Sequence, residues 1–396
     1  MTSSCRDIPE DVVFHILLWL PVISLLRFKS VCKYWRSLIQ SSEFIVQHMH
    51  HHHHHPNLKA KADLIILNGG GFTAYPQFSL TFSLLSGKSY ENLHNIDLPF
   101  QFDDSIFGAK IKASCNGIIC LEIEVTLESQ LDYFCRSTHI CLWNPATKQF
   151  RLLPQSLARD FIGEKYCVHH HGFGFDVKNN DYKVVRFLLD DRENSSRVDV
   201  YNLSSNSWRT MKVDLPVRRV ISDPKAPFRN EIYCWLGFIY EESQFCGHLI
   251  VSFDFSKDAF GTILLPDPIN SDSQCKLILA YLAEKIAVMD CQFQFTERGD
   301  WHCQVWVLNE YGVKESWTKL YTLKFESNAY MKGISLDGKI IWLFNADGTS
   351  FEPELYSCDP VTEEMKILPV KGYSWLSTFA DYKETLVSLG TAHDAA

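Results

Sequence analysis

The chain has 396 residues, too many for one small domain and enough for a compact module followed by a large body. Apolar residues make up 46% and charged residues 21%, which excludes a wholly disordered chain. The net charge of −9 is uneven: residues 1–47 carry five Lys or Arg and four Asp or Glu, leaving 33 against 43, a net of −10, for the rest. An acidic body argues against general nucleic-acid binding, which needs a basic face. It would steer basic protein partners, although plain solubility explains the same balance. The 13 Cys follow no repeating framework. The first apolar stretch, Val12 to Leu20, follows Asp7, Glu10 and Asp11, the wrong charge for the start of a secretory signal. No apolar run approaches membrane-spanning length, so no membrane partner is expected. The expected setting is the cytoplasm, with the nucleus as a further compartment, and thiols that are reduced and mostly buried.

Residues 8–47 read as a cluster of short helices. Pro9 suits the first helical position, with Glu10 and Asp11 in the first turn where the helix dipole favours anions. Val12, Val13, Ile16, Leu17 and Leu20 recur at helical spacing, and Pro21 stops the helix. A second segment carries Leu25, Leu26 and Phe28. A third begins near Ser30, a candidate N-cap, and repeats apolar residues at Val31, Trp35, Leu38 and Ile39. Three such helices cannot bury all their apolar faces among themselves, so some of that surface should meet a partner.

The run IPEDVVFHILLWLPVISLLRFKSVCKYWRSLI resembles the F-box motif over nearly its whole length. It has Ile8-Pro9, an amphipathic helix, Leu20-Pro21, Leu25-Leu26-Arg27-Phe28 and Val31-Cys32-Lys33-Tyr34-Trp35. The one departure, Ile8 for the family's first Leu, is conservative. The resemblance implies an F-box at residues 1–48 that binds a Skp adaptor seated on a cullin scaffold. Carried over position by position, the adaptor-binding residues are Pro9, Val12, Ile16, Leu17, Leu20, Pro21, Leu25, Leu26, Phe28, Val31 and Trp35. Trp35 and Leu38 are equally open to internal packing. The competing reading is a generic helical hairpin that caps the body.

His50 to His55 form an unbroken run, with His48 just before, in what reads as a His-rich linker over residues 49–62. Neutral imidazoles hold transition metals. A compositionally biased linker is the simpler account, and no metal is assigned.

From about residue 80 one pattern recurs: a β-type run, a turn-rich centre, then a short apolar run. The clearest copy is LWNPATKQFRLLP from Leu142 to Pro154. Others start near Phe82, Val200, Ser252, Val305 and Leu355. Aligned on Phe82, Trp143, Tyr201, Phe253, Trp306 and Tyr356, the copies recur roughly every 50–60 residues. Each reads as a hairpin. Further strand-like runs lie between them at Gly117 to Ile123, Asp181 to Leu188, Ile278 to Met289 and Lys339 to Phe344. The expected fold is therefore a small all-α module followed, over residues 63–396, by an all-β kelch-like propeller of about six blades. Glu384 to Leu389 should complete one blade, and the aligned aromatics should pack blade against blade.

The segments CNGIICL, WNPATKQFRLLP, GFGFDVKNNDYKVVR and the copy from Tyr356 to Leu368 resemble the F-box-associated domain of plant F-box proteins. Within that group the chain is similar to S-locus F-box proteins, the pollen factors of self-incompatibility. That resemblance implies a receptor for basic secreted style ribonucleases (S-RNases), which it directs to ubiquitination.

No residue pattern points to catalysis. There is no glycine-rich phosphate loop and no nucleophile elbow. Cys115 and Cys120 fall in one strand-like segment, where burial is expected. Cys167 with His169, His170 and His171 is the best metal-like cluster, placed on a loop. The acidic pairs Asp103-Asp104 and Glu241-Glu242, and the run Asp190, Asp191 and Glu193, read either as solvated turns or as target contacts on the propeller rim. The leading expectation is a non-catalytic, cofactor-free substrate receptor of a ubiquitin ligase. The alternatives are a propeller enzyme or carbohydrate-binding protein, and an F-box scaffold outside a ligase.

Overall fold

A computed structural model describes residues 8–54 and, between 63 and 390, all but 69–80, 88, 98–105, 127–135, 156–166, 191–194, 214, 218, 222–230, 242–243, 270–275, 283, 295–299, 327–328, 336, 345–352 and 371–377. The N-terminal module has four helices: α1 (Glu10–Leu18), α2 (Val22–Phe28), α3 (Lys33–Gln40) and α4 (Ser42–His54). Pro9 is the N-cap of α1 rather than its first residue. The cap of α3 is Cys32, whose Sγ accepts from the Trp35 N–H, while the Ser30 hydroxyl donates back to the Arg27 carbonyl.

The expected linker at 49–62 begins instead as helix, since α4 runs through His54. The physical reason is tertiary. The last carbonyls of a helix lack partners within it. His48 Nε2–H donates to Leu20 O (2.9 Å) and His52 Nε2–H to Leu18 O (3.2 Å), so two imidazoles one turn apart satisfy the end of α1. His51 packs its ring edge-on against Trp19. Leu17, Leu18, Val22, Leu25, Ile39 and Phe44 form the core of the module.

The body is six four-stranded antiparallel sheets. Blade 1 begins with β1 (Asp63–Asn68), β2 (Thr81–Leu85) and β3 (Asn92–Asp97). Blade 2 is β4 (Ile106–Cys115), β5 (Ile118–Thr126), β6 (Arg136–Asn144) and β7 (Gln149–Leu152); blade 3 is β8 (Cys167–Asp176), β9 (Asp181–Asp190), β10 (Ser195–Asn202) and β11 (Ser207–Met211). Blade 4 is β12 (Arg219–Ile221), β13 (Ile232–Glu241), β14 (Gln244–Asp254) and β15 (Ala259–Leu264); blade 5 is β16 (Lys276–Leu282), β17 (Lys285–Gln294), β18 (Asp300–Leu308) and β19 (Trp317–Glu326). Blade 6 is β20 (Ala329–Ile334), β21 (Ile340–Phe344), β22 (Glu354–Cys358) and β23 (Met365–Ile367). The last strand, β24 (Thr378–Tyr382), pairs with β1 and completes blade 1. One blade thus holds strands from both ends of the propeller, which closes the ring and leaves no open sheet edge at the seam. Glu384 to Leu389, expected to be that strand, lie beyond it.

The repeat has a physical basis in the turn between the third and fourth strands. Ser86, Asn144, Asn202, Asp254 and Asp359 each stand four residues before a residue with positive φ: Tyr90, Lys148, Asn206, Asp258 and Glu363. In three blades the Asx Oδ1 accepts two backbone N–H groups of the turn, those of Ala146 and Thr147, of Ser256 and Lys257, and of Val361 and Thr362. Blade 5 replaces this turn with a longer loop around a 3-10 turn at Lys314–Ser316. Of the aligned aromatics, Phe82, Trp143, Tyr201 and Phe253 are fully buried between blades. Trp306 and Tyr356 are half-buried and stand two residues earlier in their turns than Trp143 does.

Two expectations change here. Ile278 to Met289 is a hairpin, β16 and β17, turning at Glu284 with φ +60°. Cys291 and Cys303, expected to be reduced thiols, are joined as a disulfide. They face each other across β17 and β18 with Cα atoms 4.1 Å apart. Among the described residues, no helix is long and apolar enough to cross a membrane.

Candidate functional site

α1 is apolar on two sides. Leu17 and Leu18 enter the core, while Val12, Ile16 and Trp19 face outward and continue to Ile23 on α2. These four side chains stay 40–51% exposed, Trp19 with one ring edge against His51, and contiguous exposed apolar surface of this kind marks an interaction site. Of the eleven residues expected to bind the adaptor, Pro9, Val12, Ile16 (51% exposed), Pro21 and Val31 (60% exposed) lie on this surface. Leu20, Leu26, Phe28 and Trp35 are half-buried and bridge surface and core. Leu17 (1% exposed) and Leu25 (0%) are sealed inside and are corrected to core positions. Residue type could not separate them, because the motif specifies leucine on both sides of a thin helical layer. Ile8, Trp19, Ile23 and Tyr34, not among the expected residues, are also exposed apolar positions of this module, and continuing the Val12–Ile16 spacing by one helical turn reaches Trp19.

The two ends of the propeller differ. Asn116, Asn180, Asp181, Ser204 and Glu231 border a cleft of about 870 Å³ whose other wall is Ile45, Val46 and Met49 of α4. These residues sit at the end of β4, in the turns around β8, β9 and β10, and before β13, so this end abuts the helices. Three polar side chains of the cleft, Asp181, Ser204 and Arg151, are engaged within the protein. Asp181 accepts from Asn202 and Ser204, and Arg151 donates to the Leu203 carbonyl.

β9 and β13 start at the helix-side end and run away from it. Asp190 and Glu241, which end them, therefore lie toward the opposite, outward end. Asp103, Asp104, Asp191, Glu193 and Glu242 lie outside the described residues.

The expected metal-like loop is a strand. Cys167, His169, His170 and His171 belong to β8. His171 is buried and its Nδ1–H donates to Glu122 (2.8 Å). Burial alone would raise the Glu122 carboxyl, but Lys112 at 3.6 Å and the His171 hydrogen bond overcome that and hold it ionised. Burial also lowers His171, so the ring stays neutral. This network joins β4–β5 to β8 across the seam between blades 2 and 3. Cys115 and Cys120 lie on separate strands, both buried, and burial pushes both thiols up. Among the described residues no group of three or more metal-ligating side chains converges.

The segment GFGFDVKNNDYK is likewise architectural. A Cβ at Gly172 would lie 2.6 Å from Trp235, and at Gly174 only 2.1 Å from Phe255, so the missing side chains let blade 4 close on blade 3. Lys183, 2% exposed, bridges Asp176 (2.6 Å), Asp258 (3.0 Å) and the Phe255 carbonyl (2.9 Å), fastening the same seam. Burial opposes ionisation of Asp176, and the bonds from Lys183 and Asn179 hold it below the ordinary carboxylate range.

Comparison with known proteins agrees with this division. Residues 6–47 match the F-box domain, and residues 72–389 match the F-box associated beta propeller domain. The chain is 27% identical over 368 residues to an F-box/kelch-repeat protein of Arabidopsis thaliana, covering 90% of this chain and 89% of that one. A putative F-box/kelch-repeat protein of the same plant is 26% identical over 345 residues, covering 84% and 74%. A putative F-box protein, also from Arabidopsis thaliana, is 26% identical over 349 residues, covering 84% and 83%.

Proposed function

The chain belongs to the F-box proteins with an F-box-associated β-propeller, and from that premise we propose how its two ends divide the work of the substrate-recognition role that membership implies in a Skp–cullin–F-box ubiquitin ligase. The outward apolar stripe of α1 and α2 docks the Skp adaptor. The propeller end away from the helices holds the target. Ubiquitin transfer then depends on proximity, and no side chain of this chain performs chemistry. The observation that carries the reading is the stripe Val12, Ile16, Trp19 and Ile23, exposed on helices whose other side is already packed. The protein works in the cytoplasm, with the nucleus as a further compartment.

The test is co-purification of the full chain with the Skp adaptor and cullin, beside Ile16→Asp. Recovery of both with the wild type and loss with the variant supports the reading. Equal recovery with both would remove the stripe from the interface, and no recovery with folded wild type would sink the ligase role.

A narrower reading has one observation in its favour. Residues 48–396 carry a net charge of −10, which suits a basic target such as a secreted style ribonuclease. A ribonuclease captured in a salt-sensitive manner by the wild-type chain would support the self-incompatibility role. Captured targets that are all acidic would exclude it.

A further inference from the structure

Beyond β24 the chain leaves the sheet, and residues 383–390 cross the helix-side end of blades 2 and 3 without regular structure. Two side chains three residues apart join two different cores. Leu386, 2% exposed, packs with Leu17, Leu18, Val22, Leu25, Ile39 and Phe44 of the F-box. Leu389 packs with Cys115, Ile118 and Cys120 of blade 2 and Tyr182 of blade 3. The backbone between them is held by side chains of blade 2. Asn144 Nδ2–H donates to Thr385 O (3.2 Å) and Val387 O (2.8 Å), and Gln149 Oε1 accepts from the Leu389 N–H (3.2 Å). Gly117, at φ +76°, admits the segment, since a Cβ there would stand 2.3 Å from the Lys383 carbonyl oxygen.

A single peptide crossing between two bodies limits their separation and does not fix their angle; that takes a second, packed contact. Residues 385–389 supply one. We infer that this segment is a strap that sets how the F-box is held on the propeller, and that Leu386 is a positioning residue for ubiquitin transfer. The second half of the inference rests on the ligase reading. On that reading the adaptor face and the target face lie at opposite ends of the molecule, so the strap decides where a bound target's lysines stand relative to the cullin-borne conjugating enzyme. Releasing it spreads those lysines over a larger volume and lowers their effective concentration.

The experiment compares wild type, Leu386→Ala and Asn144→Asp in the full chain. Asn144→Asp keeps the Oδ1 that caps Ala146 and Thr147 and replaces the donors to the strap with an oxygen that repels the Thr385 and Val387 carbonyls, so its fold is checked by circular dichroism. Spin labels at Ser37→Cys on α3 and at Cys246, both exposed, report the distance distribution, with Cys5, Cys32, Cys135, Cys167 and Cys275 replaced by Ser. The expected result is a distribution at least about twofold broader in both variants, with Skp-adaptor affinity within about threefold of wild type. Transfer to the chain's own lysines in the reconstituted ligase should fall by about threefold or more. An unchanged width in folded variants overturns the strap. A broadened distribution with unchanged transfer overturns the positioning role. Should Leu386→Ala unfold the F-box, Asn144→Asp alone decides both points. If the wild type binds no adaptor while the variants still broaden the distribution, the ligase reading falls and the strap stands.

Discussion

Ile16 and Leu25 are both aliphatic and both belong to the F-box motif, yet one is 51% exposed and the other fully buried. Their substitutions should therefore fail in different ways. Ile16→Asp is expected to abolish adaptor binding with the melting temperature little changed, because it alters only the partner-facing stripe. Leu25→Ala should destabilise the F-box by about 2–5 kcal/mol, through lost transfer energy and the cavity left behind, as read by chemical denaturation. The histidines give a residue-scale prediction with a sign. Burial lowers the His48 pKa to about 4, and His52 shifts the same way. Below the unfolded-state value near 6.5 the unfolded chain binds protons that the folded helices refuse, so stability falls as pH drops from about 6.5 toward 4. Amide exchange in α1 and α4 should therefore quicken over that window, and His48→Gln should flatten the dependence. A slope unchanged by that substitution would assign the effect elsewhere.

Elements record the difference between local and tertiary cause. The turns between third and fourth strands were legible because an Asx residue four positions before a positive-φ residue is a local device. The glycines of β8 were not, because their reason lies in blade 4. Gly174→Ala should destabilise the propeller by about 1–3 kcal/mol through overpacking against Phe255. Pairing it with Phe255→Leu should recover part of the loss, and strict additivity of the two changes would show that the contact is not the cause. Helix α4 is the opposite case to the turns. Six consecutive histidines carry no amphipathic pattern, so composition suggested a linker. Hydrogen bonds from His48 and His52 to the Leu20 and Leu18 carbonyls hold that stretch against α1.

At the scale of the whole molecule, closure of the ring is the decisive fact. Blade 1 takes β24 from the far end of the propeller, and without it β1 would present an open edge to neighbouring chains. Truncation after residue 377 is expected to give an aggregating, protease-sensitive chain, whereas truncation after residue 390 should melt as the full chain does. Equal melting of the two would deny the closing strand its role. The exposed stripe on α1 and the outward end of the propeller are separated by this closed body. On the proposed reading adaptor and target would engage at separate faces, with the packed contact at Leu386 between them.

What the sequence determined by itself was whatever short-range chemistry encodes: the F-box through its spaced Leu-Pro and aliphatic positions, the blade through its turns, and a count of about six from their recurrence. What only the tertiary structure decided was which of several similar leucines face out, which end of the chain completes blade 1, and that Lys183, Glu122 and the β8 glycines serve the blade seams. These depend on contacts between residues distant in sequence. Hydrophobic burial has no direction, so an apolar residue looks the same in the sequence whether its partner is this chain or another.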